Sequence, residues 1–92
     1  MNEWQIRLKL LLDLVVEDGL LHAPMIVPLW LEVAERPMLF DRIELTYRPE
    51  DRGVLCELCR TGNNWVGMGS WWGLAFYRAL RAYLAWAEKQ EE

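Results

Sequence analysis

Tryptophan placement constrains this chain more than any other feature. Six of its 92 residues are tryptophan, and Trp65, Trp71, Trp72 and Trp86 all fall in the last third. Each brings a large apolar area and one N–H that needs a partner, so tryptophans concentrate in cores and at interfaces. A chain of 10.9 kDa has room for one core, and it reads as a single domain over residues 1–92. That core is expected to be anchored in the C-terminal third.

The remaining composition narrows the class. With 53% hydrophobic and 26% charged residues the chain is globular in character. A formal charge of −4 and a pI of about 5.0 favour solubility and disfavour non-specific nucleic-acid binding. Two cysteines are too few for a secreted disulfide framework. The apolar run at residues 10–16 is interrupted by Asp13, lacks a basic leader, and is far shorter than the roughly 20 residues that span a bilayer. A cytoplasmic home without membrane contact is the expectation.

Periodicity assigns the elements. Trp4, Ile6, Leu8, Leu10, Leu12, Leu14 and Val16 occupy successive even positions, and an apolar period of two predicts a strand with one buried face. Leucine-rich composition keeps a helix over residues 3–17 as the alternative. Asp18-Gly19 suits a tight turn, because both central positions of a type I′ turn need positive φ. Pro24 and Pro28 exclude a regular ladder from the following stretch, so the second strand is placed at residues 29–33, ahead of a Glu35-Arg36-Pro37 turn. Ile43, Leu45 and Tyr47 alternate with Arg42, Glu44, Thr46 and Arg48 in a third strand. After the turn residues at 49–53, a fourth strand runs over residues 54–60 and ends at Gly62-Asn63-Asn64. The closing segment is helical, with Ser70 as its cap and Trp72, Phe76, Leu80, Tyr83 and Ala87 on one face. Glu91 and Glu92 oppose its dipole.

The expected fold is therefore α+β: a mostly antiparallel, four-stranded sheet with one C-terminal amphipathic helix packed on a face. A helical 3–17 segment would give α-β-β-β-α instead.

Few residues suggest chemistry. Cys56 and Cys59 form a CxxC, but a structural zinc site needs four ligands, and His22 is the single histidine. A metal would then require carboxylate ligands or a second copy of the chain. In a strand, the two thiols would face opposite sides and could not share an ion. Ser70 is the single serine, and no GxSxG, phosphate-binding loop, GxGxxG or HExxH pattern occurs. Gly67-Met68-Gly69 could bring amide groups to an anion, although a lone GxG more simply eases entry to a helix. Neither an enzyme nor a cofactor is indicated.

Two surfaces remain as binding candidates. Trp71, Leu74, Arg78 and Arg81 share the side of the C-terminal helix away from its core face, and apolar groups rimmed by arginine resemble an interface hot spot. Trp30 is a second candidate, grouped with Leu11 and Val15 on the uncovered side of the sheet. Arg42, Arg48, Arg60 and Trp65 offer a nucleic-acid alternative, weakened by Asp41, Glu44, Glu50, Asp51 and Glu57 around them. The leading expectation is a small non-catalytic protein-binding module, of inhibitor or adaptor type. Its partner would be another protein or a second copy in a homodimer.

Overall fold

The computed structural model describes residues 2–17, 23–34 and 39–90. Its order is α1 (Glu3–Glu17), α2 (Ala23–Ala34), β1 (Arg42–Arg48), β2 (Gly53–Arg60), β3 (Asn63–Gly69) and α3 (Trp72–Lys89). The strands form one antiparallel sheet in the order β1-β2-β3. The α+β class, the antiparallel sheet and the C-terminal helix agree with the sequence reading. The count of four strands does not, because residues 3–17 and 29–33 are helical and residues 63–69 form a strand.

The error at residues 3–17 has a geometric cause. On a helix, a row of even positions separates into two stripes about 200° apart. Trp4, Leu8 and Leu12 form the buried stripe, while Ile6, Leu10 and Leu14 form an exposed one. The helix is started by a capping box that period-two counting overlooks. The Gln5 amide donates to Asn2 Oδ1 at 2.8 Å, and the Asn2 amide donates to Gln5 Oε1 at 3.0 Å. In α2, Ile26, Leu29 and Val33 are buried at three- and four-residue steps, with Trp30 half-buried beside them. Pro28 is accommodated on the exposed side, five residues into that helix.

β3 escaped notice because its glycines hide its strand character. Thr61 and Gly62 both have positive φ, 24° and 81°, and make the two-residue turn that joins Arg60 to Asn63. Asp41 Oδ2 accepts the Thr61 amide at 2.7 Å and fastens this turn to the start of β1. Gly67 then serves close packing. A Cβ on Gly67 would overlap the Ala75 carbonyl oxygen and the Ala79 amide nitrogen, so α3 rests backbone-first on β3.

The other side of α3 is covered by α1 and α2. Gln5 Nε2 donates to the Tyr83 hydroxyl at 2.9 Å, Lys9 meets Glu88 at 3.1 Å, and Arg81 meets Asp13 at 2.9 Å. Arg7 joins α1 to Glu32 of α2 at 2.8 Å. The buried core runs through all these elements and, among the described residues, contains no charged side chain. Asp18-Gly19, His22, the Glu35-Arg36-Pro37 turn, Glu91, Glu92 and the Val15 side chain lie outside the described residues.

The seat at Gly67 generates a prediction. Gly67→Ala forces backbone apart and should cost about 2–3 kcal/mol of stability in denaturant titration. Gly62→Asn, which adds a side chain into open space and keeps a residue tolerant of positive φ, should cost less than about 1 kcal/mol. Equal losses at the two positions would remove Gly67 from its central role.

Candidate functional site: an apolar groove beside an open sheet edge

The aromatic residues divide into two clusters along α3. Near its C-terminal half, Tyr83 lies 5.1 Å from the rings of both Phe40 and Trp65, and 6.3 Å from Trp4. Trp86 closes this group at 5.1 Å from Trp65. Near the N-terminal half, Trp30 lies 5.9 Å from Trp72 and 5.3 Å from Phe76, with Trp71 at 5.9 Å from Trp72. Most of these pairs meet edge to face, the geometry that the ring quadrupoles favour.

The first cluster is closed and the second is open. Trp65, a nucleic-acid candidate by sequence, is a β3 residue buried between Phe40, Tyr83 and Trp86. Trp30 and Trp72 instead line a groove of about 490 Å³ together with Val27 of α2 and Leu45 of β1. Leu45 and Tyr47 lie on the helix-covered face by register, opposite Cys56 and Val54. They are nevertheless 42% and 67% exposed, because α3 lies over β3 and β2 and not over β1.

Of the residues singled out in sequence, Trp30 is the one that enters this groove. Trp71 is half-buried, and its ring folds over Gly73, where a Cβ would overlap it. It also occupies the N-cap position of α3 with no side-chain cap bond, so Ser70 stands one residue too early to cap the helix. Leu74 packs against Gly69. Arg78 Nη1 donates to the Met68 carbonyl at 2.7 Å, and Arg81 is held by Tyr77 and Asp13. Both guanidinium groups are therefore engaged within the chain, and on different flanks of α3. Leu11 is half-buried against the core and does not lie on an open sheet face.

The nucleic-acid candidates are not gathered on one surface. Arg42 and Arg48 lie with Glu44 and Thr46 on the open face of the sheet, whereas Arg60 and the buried Trp65 lie on the helix side. Arg48 meets Glu50 and Asp51 at 3.4 and 3.6 Å, and Arg42 meets Glu44 at 3.6 Å. Gly67-Met68-Gly69 is a strand segment under α3 and not a loose approach to it.

Cys56 and Cys59 point to opposite faces of β2. Cys56 is buried in the core, and Cys59 joins a row on the open face between Arg42 and Asn64. One chain therefore cannot chelate an ion with both. Burial pushes the Cys56 thiol from its ordinary 9.0 up to about 12, with Glu57 and Cys59 adding to the effect. Val27, Leu45, Tyr47 and Trp72 were missed as surface residues. Reading residues 23–34 as a helix would have put Val27 and Leu31 on its outer side.

No family model matches the chain, and comparison with curated proteins and with solved structures finds no match either. Among the described residues, no helix is long and apolar enough to cross a membrane.

The two thiols give a second prediction. A thiol reagent at neutral pH should label Cys59 and spare Cys56 until the chain unfolds. Because Cys56 holds its proton more tightly folded than unfolded, its contribution to stability is complete below pH 9 and is lost as pH climbs toward 12. Stability of Cys56→Ala should accordingly fall less steeply than wild type across that window. Equal alkaline slopes would contradict the burial of this thiol.

Proposed function

We propose that this protein is a non-catalytic protein-binding module whose contact surface is the groove between α2, the start of α3 and β1. One observation carries the reading: Val27, Trp30, Leu45 and Trp72 line an open concave surface, and among these described lining residues there is no group able to move a proton, attack a substrate or hold a metal. Such a surface suits an apolar side chain or helix face from a partner. Tryptophan supplies large contact area at little entropic cost, which is why it recurs at binding hot spots. The module works in a reducing compartment such as the cytoplasm, where Cys56 and Cys59 remain thiols.

The exposed residues permit a clean test. Val27→Glu introduces charge at a site already in water and should change stability by no more than about 0.5 kcal/mol. It should abolish retention of a partner captured from the native host by the immobilised wild-type protein. Leu14→Glu, on the exposed stripe of α1, should leave that retention intact. Loss with Leu14→Glu and not with Val27→Glu would move the surface to α1 and overturn the groove.

A further inference from the structure

The two edges of the sheet are treated differently. On β3, the edge strand beneath α3, the Met68 carbonyl accepts a hydrogen bond from Arg78. On β1, the opposite edge, no described element pairs with the outer side. Residues Arg42, Glu44, Leu45, Thr46 and Tyr47 are all exposed there. An uncovered edge presents a row of unpaired N–H and C=O groups that templates another strand.

The side chains of β1 specify which strand fits. Antiparallel pairing of two copies about a two-fold axis keeps residues of like parity opposite one another, so polar meets polar on the open face and apolar meets apolar on the helix side. Three such registers pair five or more residues within 42–48. With Leu45 on the axis, Arg42 opposes Arg48 of the second copy, a like-charge clash. With Glu44 on the axis, Glu44 opposes itself. With Thr46 on the axis, Glu44 opposes Arg48 of the second copy twice over, Leu45 opposes Tyr47, and threonine meets threonine. Each of these is a favourable cross-strand pair.

We infer that β1 is a self-pairing edge, joining two copies about Thr46 into one continuous six-stranded sheet. The inference builds on the reading of this end of the molecule as a binding surface and names a second copy of the chain as the occupant of its edge. Leu45 and Tyr47 of the two copies cover one another, and the two grooves open side by side on the same face of the joined sheet. The existing pairs of Arg48 with Glu50 and Asp51, and of Arg42 with Glu44, are exposed and exchange at little cost.

Charge reversal tests the register. Light scattering at about 100 μM, well above a micromolar Kd, should give the mass of a dimer. Followed by dilution, Glu44→Arg alone and Arg48→Glu alone should each weaken the dimer about tenfold or more, while circular dichroism shows the chain still folded. The double variant E44R/R48E should restore it. A monomeric wild-type protein overturns the inference, as does a dimer indifferent to both single reversals or one that the double variant fails to rescue. Val27→Glu separates this result from the groove: it should leave the dimer mass unchanged. A monomer that still retains its partner through Val27 refutes self-pairing alone, and a charge-sensitive dimer whose partner ignores Val27→Glu refutes the groove alone.

Discussion

The approach of the α3 backbone to β3 at Gly67 governs the architecture. Ala75 and Ala79 form the sheet-facing side because nothing larger fits between the two backbones. Bulky side chains of α3 are thereby turned to the other side, where Phe76, Leu80 and Leu84 are buried. That second apolar side needs its own cover, and α1 and α2 provide it. A consequence appears at the sheet's far edge. With α3 seated low over β3 and β2, β1 carries apolar residues on the correct face that α3 does not reach.

This arrangement explains why the aromatic rings occupy the two ends of α3. At its C-terminal half, Phe40 and Trp65 supply rings from the sheet side and Trp4 from α1, so the gap around Tyr83 is filled from several directions. At its N-terminal half, Trp30 is the ring supplied by α2, and β1 offers only Leu45 across the gap. The first end closes into core and the second remains a groove. Tryptophan count alone marked the C-terminal third as heavily packed, but it did not show which rings would meet water. That depends on how far α3 extends toward β1.

Legibility followed the strength of the local signal. α3 could be read directly, because its apolar residues recur at three and four without a competing period. β1 and β2 were legible from alternation and from the turn residues between them. Residues 3–17 carried two opposed apolar stripes, and a helix with apolar residues on both sides mimics a strand in one dimension. The Asn2–Gln5 capping box was the local signal that distinguished the two. β3 was obscured for the reverse reason: Gly67 and Gly69 weaken strand propensity, and their purpose becomes visible only when α3 lies across them. The site was legible only through Trp30. Its other walls come from α2, β1 and α3, which no sequence window brings together. The cysteines were correctly conditional, since their separation across β2 follows from strand geometry once the strand is accepted.

The charge order of β1 bears on specificity as much as on attachment. Exposed edges are commonly blunted by lysine, proline or a bulge, devices that reject every incoming strand alike. β1 has none of these between Arg42 and Arg48; it has arginine, glutamate, threonine and arginine on its open face. A strand bearing a different charge order, or the same order in another register, meets like charge or an unmatched polar row. The same sequence inverted about Thr46 meets opposite charge at both Glu44 positions. An edge of this kind discriminates among partners, because wrong registers are penalised by the residues that stabilise the right one. Since opposing exposed charges contribute only about 0.2–1 kcal/mol per pair, most of the attraction must come from backbone hydrogen bonds and from Leu45 against Tyr47. The charges then decide which strand receives them.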